Sequence, residues 1–339
     1  MKRRSIWIAL LAGILWIAPT LSFAAELRIG VLASRGAHQV VQEWKSTADY
    51  LEAKTGYSIT IVPLEYEQVS QWTKEKKIDF IFINPAMYAE LNLLYGVQAV
   101  ATLVNQFNGQ PLDQFGLLFL SKSDSSIETI ADLKGKSIGC ASRDAFAGWL
   151  MGVRSLMENG IDPESNFKSV RELKTHDNVV WAVFNGAVEV GSVRTGTLEK
   201  MVLEGKVKTA DFKIIRRITD GFPLMHSTQL YPENALAACQ HVSAEVRKQV
   251  GDLVIAIKPT DQPALDAKIA GWKQPSDYRP VVECLTIIKY GVFKDRALPA
   301  QVSHSEKTAE VAVPAPVAAP DLGQAKTPAR LPKGRTSAQ

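Results

Sequence analysis

The stretch Ile78–Leu94, IDFIFINPAMYAELNLL, constrains the fold more than any other part of the chain. It opens with Ile and Phe at the density of a buried strand. The run breaks at Asn84-Pro85 and resumes as Ala86–Leu94, built from good helix formers. Asn is a favoured N-cap, and Pro suits the first helical turn, where its missing N–H costs nothing. The pattern therefore predicts strand, sharp corner and helix. Such a corner presents backbone N–H groups at a positive helix end, a natural place to hold an anion. The same pattern also suits an ordinary β–α connection, and nothing local separates the two readings.

The rest of the chain repeats this alternation. Leu27–Leu32, Ser58–Leu64 and Val97–Val104 read as strands. Val40–Lys54 reads as a helix with Trp44, Ala48 and Leu51 on one face and Gly56 as its stop. This spacing predicts an α/β fold with a largely parallel sheet and helices on both faces. In such sheets the loops at the carboxyl ends of the strands line the crevice, here Ser34-Arg35, Tyr66 and Asn84–Tyr88. A second unit follows. Phe115–Ser121 leaves the first, and Ser137–Cys140 leads into a corner at Ala141–Asp144 and a helix carrying Phe146, Leu150, Val153 and Met157. Thr175-His176-Asp177 open another helix, and strand Val188–Val193 runs into the corner Arg194-Thr195-Gly196. A strand near Phe212–Arg217 precedes Phe222–Tyr231, which leads back to the first unit, completed by helices up to about Tyr290. The expected organisation is a discontinuous lobe one, 26–117 plus 222–295, and an inserted lobe two, 118–221, with a cleft between them. Two lobes joined by two crossing segments close around small ligands by hinge motion.

Both ends differ from this body. Lys2-Arg3-Arg4, the apolar run Ile6–Ala18 and Ser22-Phe23-Ala24 form a secretory leader over 1–25, its apolar run too short for a membrane span. Residues 296–339 form a Pro/Ala-rich tail without an aromatic residue, read as disordered. Of 339 residues 46% are apolar and 22% charged, which leaves ample material for a core. The formal charge of +4 includes the cationic leader, so the remainder is nearly neutral and gives no support for nucleic-acid binding.

The motifs L-R-I-G-V-L, D-F-I-F-I-N-P-A-M-Y, D-L-K-G-K-S-I, T-H-D-N-V-V-W-A-V-F-N-G and V-R-T-G-T-L-E together resemble the phosphonate/phosphite-type periplasmic binding proteins. The runs Gly191–Glu199 and His226–Pro232 are similar to the branch that forms the sensor domain of tetrathionate-type histidine kinases. The resemblance covers about 26–292. It implies a two-lobed, type II-like periplasmic binding fold that holds a small anion between its lobes. By position it implicates Tyr66, Asn84, Pro85, Ala86 and Tyr88 in lobe one, and Ser142, Arg143, Asp144, His176, Arg194 and Thr195 in lobe two. One departure is local: phosphonate binders carry a Ser-Thr-Ser-Gly-like cradle where this chain has Ala141–Phe146, and an acidic Asp144 repels a dianion. The resemblance also implies a periplasmic monomer that works with a separate membrane sensor kinase or, alternatively, with an ABC permease. The expectation of a separate kinase follows from the absence of a kinase core after residue 295.

Several residues carry two readings. His176 at a helix start is either a cap or a ligand group, and Tyr66 and Tyr88 are either ligand contacts or packing. Arg194 offers a fork that suits an oxyanion or an internal carboxylate. Of three cysteines, Cys239 and Cys284 fall in the return segment and are a possible disulfide. Cys140 ends a strand before the cleft corner. It is either a small buried residue or a thiol whose pKa Arg143 and a helix N-terminus lower. No enzymatic motif stands out: Gly135-Lys136-Ser137 looks like the end of a P-loop, but Ile130 occupies the place of its first glycine. Five scattered histidines give no metal spacing, so neither a metal nor a cofactor is expected.

Overall fold

The computed structural model describes residues 25–33 and 36–297; the leader, Ser34-Arg35 and the tail from 298 onward lie outside them. Strand β1 (Glu26–Leu32) is followed by α1 (Ala37–Thr55), β2 (Ser58–Leu64), α2 (Tyr66–Lys74), β3 (Phe80–Ile83) and α3 (Pro85–Tyr95). Helix α1 buries Val40, Trp44, Ala48 and Leu51 along one stripe, and Gly56 ends it in a left-handed conformation. β1 pairs in parallel with β2 over its whole length and with β3 through Ile29 and Phe80. Gly30 permits this packing, since a Cβ there would lie 2.6 Å from Leu64 Cδ1.

The chain continues through β4 (Gln98–Phe107), β5 (Gln110–Leu112) and β6 (Gln114–Phe115) into β7 (Leu117–Lys122), which opens a second sheet. That sheet adds β8 (Ser137–Cys140), then α4 (Met151–Glu158), β9 (Ser169–Glu172), α5 (His176–Phe184), β10 (Val190–Arg194), α6 (Thr197–Leu203) and β11 (Phe212–Ile215). Its strand order is β11-β7-β10-β8-β9; β10, β8 and β9 are parallel, and β7 is antiparallel to both of its neighbours. The return passage pairs β12 (Tyr231–Pro232) with β6 as a two-stranded ribbon, so both crossings run side by side. β13 (Ala235–Ala238), α7 (Ala244–Ile255), α8 (Gln262–Ala267), β14 (Gly271–Lys273) and α9 (Arg279–Ile287) complete the first sheet and its cover.

The first sheet is mixed, which corrects the expectation of a largely parallel one. Its order is β14-β4-β13-β3-β1-β2, and β13 lies antiparallel between β3 and β4. The sequence of β13 is ALAA, which reads as helix by propensity; complete burial between two strands overrides that preference. β14 and β9 were not expected either. Both are short, and β9 (SVRE) lies on the sheet edge, mostly exposed and largely polar.

Among the described residues, four apolar clusters cover the two sheets. One of them, containing Phe119, Ile138, Phe146 and Leu156, continues through Phe115 and Tyr231 of the ribbon to Val281, Cys284 and Leu285 of α9. Phe146 packs edge-on against Tyr231 at 5.0 Å and against Phe115 at 6.3 Å between ring centres. The seam thus joins the second sheet to the ribbon and to a helix of the first.

Candidate ligand-binding site

Two strand-to-helix corners, one from each sheet, carry most of the candidate residues. In the first, Asn84 Oδ1 accepts the Met87 N–H at 3.0 Å, with Pro85 at the first helical position, so the cap has the expected geometry. Asn84 Nδ2 points to Tyr66 Oη at 3.4 Å. Tyr66 itself begins α2 and is exposed, while Ala86 is buried beneath the corner. Tyr88 turns the other way: its ring lies 4.6 Å from that of Tyr278, and its hydroxyl accepts the Ala99 N–H. Of the two readings of Tyr88, packing is the one its contacts describe.

The second corner follows β8. Ser142 Oγ accepts the Asp144 N–H at 3.2 Å, and Asp144 in turn accepts a hydrogen bond from Tyr290 Oη at 3.1 Å. That bond ties the corner of the second sheet to the segment after α9. Arg143 is committed elsewhere. Its guanidinium pairs with Glu164, and its N–H donates to Glu172.

Tyr66, Glu90, Asp144 and Tyr290 lie within one another's electrostatic range. Burial pushes the Glu90 carboxyl up, and Asp144 adds to the shift. Although Tyr66 as a whole is exposed, desolvation around its hydroxyl raises the phenol, with the Asn84 hydrogen bond opposing and Asp144 and Glu90 reinforcing. Glu90 and Tyr290 had no signal in the sequence, since each enters the site only through its tertiary position.

His176 is the first residue of α5, behind the Thr175 cap, whose hydroxyl accepts the Asn178 N–H. Its ring packs on Gly148 so closely that a Cβ at 148 would lie 2.7 Å from Cε1. His176 Nδ1 accepts the Arg194 N–H at 3.4 Å. Burial, and next the Arg194 charge, lower its pKa to about 4. The ring is therefore neutral at neutral pH, and the occupied Nδ1 leaves its proton on Nε2, as a hydrogen-bond donor.

Arg194 pairs with the buried Glu233 and lies 4.0 Å over the Phe115 ring, so it takes the internal carboxylate of its two readings. Thr195 is buried, its hydroxyl accepting the Gly116 N–H and its own N–H donating to the Gly116 carbonyl. Both residues fasten β10 to the crossing segments.

The expectation of a possible Cys239–Cys284 disulfide is corrected. All three are free and buried. Cys239 belongs to the cluster around Leu64 and Ile81, whereas Cys284 belongs to the seam, so the possible disulfide is not formed. Burial, joined by Glu172, pushes the Cys140 thiol up to about 12, outweighing the opposing Arg143. Of the two readings of Cys140, the small buried residue is the one its surroundings describe.

The arrangement of sheets and ribbon is that of the two-lobed periplasmic binding proteins. A binding component of an ABC phosphonate transporter from Pseudomonas aeruginosa superposes with a TM-score of 0.60 at 17% identity, over 78% of this chain and 87% of the other. PhnD1 from Prochlorococcus marinus, solved in complex with methylphosphonate, superposes with a TM-score of 0.56 at 13% identity, over 78% and 98%. By sequence, residues 29–278 match the family described as the phosphonate periplasmic substrate-binding protein of ABC transporters, and the chain belongs to that family. It is also 29% identical over 231 residues to the tetrathionate sensor histidine kinase TtrS of Salmonella typhimurium. That alignment takes in 68% of this chain and 39% of the kinase, so the chain spans well under half of the relative's length. Members of the family are substrate-binding proteins of the periplasm rather than enzymes.

Proposed function

We propose that this protein captures a small oxyanion in the cleft between two lobes, 26–117 plus 222–295 and 118–221, and reports it to a membrane sensor kinase. The observation that carries the reading is the nearness of the two corners, Asn84 with Tyr66 and Ser142 with Asp144, where Tyr66 lies within electrostatic range of Asp144 and of its partner Tyr290. Asn84 Nδ2, the Tyr66 hydroxyl, Ser142 Oγ and the neutral His176 Nε2–H supply donors without a compensating cation. Ala86 contributes backbone at the positive end of α3. Arg194 and Thr195 serve the site indirectly, by holding the ribbon in place, and Arg143 borders it.

Glu90 and Asp144 at the same opening disfavour a compact dianion and favour an anion whose charge is spread over several atoms. The likeness to a tetrathionate sensor supports that choice and the kinase partner. The alternative is the capture subunit of an ABC importer for phosphonate-like anions, favoured by the family's description. Residues 1–25 act on either reading as the export leader, and the working form is a monomer.

A thermal-shift comparison of tetrathionate, thiosulfate, sulfite, phosphite and methylphosphonate tests the reading. A ligand at 100 times its dissociation constant adds about 2.7 kcal/mol, a shift of a few degrees. A shift with a sulfur oxyanion supports the sensor, and one with methylphosphonate or phosphite supports the importer. Silence from all five would refute the oxyanion premise.

A further inference from the structure

Helix α9 and the turn after it, 289–293, bridge the two halves of the molecule beside the ribbon. The sequence of the turn, KYGVF, allows it to be tight: Lys289 and Gly291 both adopt left-handed backbone, with φ at 52° and 53°. Phe293 is buried and anchors the end of the turn in the aromatic seam, while its N–H donates to the Tyr290 carbonyl at 3.0 Å. The Tyr290 N–H donates back to the Leu285 carbonyl of α9 at 2.9 Å. One helical turn earlier, Glu283 of α9 accepts from Arg154 Nη2 of α4 at 2.7 Å.

The turn also meets two carboxylates, one from each half. The Val292 N–H donates to Glu90 of α3. A Cβ at Gly291 would collide with Glu90 Oε1, so the carboxylate sits directly on the turn. The Tyr290 hydroxyl donates to Asp144 Oδ1, in the corner after β8, at 3.1 Å. Burial, and next the Asp144 and Glu90 charges, raise the Tyr290 phenol, so it keeps its proton and remains the donor.

Glu90 and Asp144 feel each other's charge, and like charges at short range push their supports apart. The turn offsets this by placing one donor on each. Hydrogen bonds to an ionised acceptor are the stronger kind. At 3.1 Å, however, the Tyr290 bond is longer than the usual hydroxyl range, which suits a tie that opens and closes.

We propose that the turn 289–293 is a clasp between the two proposed lobes, and that Glu90 is the residue that positions it. Glu90 belongs to α3, which starts at the Asn84 corner, and Asp144 belongs to the Ser142 corner. The clasp therefore ties together the corners assigned to the anion and sets how far apart they stand. It rests on the two-lobed reading given above and adds to it a control over opening. With the Val292 N–H held by Glu90, Tyr290 is aimed at Asp144. With that hold lost, the turn swings, the Tyr290 bond breaks and the two carboxylates repel.

Spin labels on Glu67→Cys and Lys168→Cys, exposed positions in the two lobes, measure their separation by pulsed electron resonance in the full chain without added ligand. The three native cysteines are buried and stay unlabelled. We expect Tyr290→Phe, which keeps the ring and loses the hydroxyl, to shift the distances to longer values. Glu90→Ala shifts them likewise and speeds exchange of the Val292 amide hydrogen about tenfold, as the loss of one charge-assisted hydrogen bond predicts. Glu90→Gln retains an acceptor for that N–H and keeps both readouts at their wild-type values. Unchanged distances in Tyr290→Phe would overturn the clasp. Unchanged exchange of Val292 in Glu90→Ala, or Glu90→Gln behaving as Glu90→Ala, would overturn the positioning role. No ligand enters the measurement, so silence of all five anions in the thermal-shift comparison would remove the oxyanion reading and leave the clasp standing.

Discussion

Arg194 and Arg143 both stood beside the expected anion, and both turned out to be occupied by carboxylates in different surroundings. Glu233 is 1% exposed, so removing it strands buried charge-matched groups, whereas the Arg143–Glu164 pair lies open to water. Glu233→Ala is therefore expected to lower unfolding free energy by about 3 kcal/mol, and Glu164→Ala by less than about 1 kcal/mol. Urea denaturation of the two variants measures the difference, and equal losses would contradict the burial argument. His176 makes a separate prediction. Its pKa of about 4 lies below the ordinary value of 6.5, so the unfolded chain takes up a proton first as pH falls. The contribution of His176 to stability is complete above pH 6.5 and is lost as pH drops towards about 4. Wild type should thus lose stability across that window more steeply than His176→Asn, and the His176 ring should remain neutral by NMR at pH 5. A ring already protonated at pH 6 would exclude the neutral-donor role.

At the level of elements, the α3 corner was legible because its signals are local: Asn84 caps, Pro85 follows, and the apolar strand ends where they begin. The neutral state and position of His176 were not legible, because they come from Gly148 and Arg194 on other elements. β13 was invisible for a different reason. Three alanines and a leucine prefer a helix, and only the slot between β3 and β4 makes them a strand. The partner of Arg194 was equally hidden, since Glu233 belongs to the return passage and meets β10 only in the folded molecule. The close approach of the turn before α4 to α5 is open to test. Gly148→Ala puts a methyl where His176 Cε1 lies, and the overpacking is expected to cost 1–3 kcal/mol, or about that, while displacing the ring. If the variant melts like wild type and keeps its ligand-induced shift, the contact does not position His176.

At the scale of the molecule, two of the links between the sheets, the ribbon and the seam, act differently. The ribbon of β6 and β12 is narrow, a pair of two-residue strands. The seam of Phe115, Phe146 and Tyr231 is continuous apolar packing, and it reaches from the second sheet to α9. The ribbon without the seam would let each sheet unfold by itself, because a ribbon of this width transmits little packing energy. With the seam, exposing one side leaves large aromatic surface on the other uncovered, at roughly 25 cal/mol per Å². Unfolding of the wild-type chain is therefore expected to be a single transition, with tryptophan fluorescence and far-UV circular dichroism giving coincident curves. Phe146→Ala removes the ring at the centre of the seam, with an expected loss of about 3–5 kcal/mol, and should separate the two curves. Coincident curves in the variant, at a lower midpoint, would place the coupling elsewhere, in the Arg194–Glu233 pair or the Asp144–Tyr290 bond. Distinct curves already in wild type would show that the seam does not couple the sheets.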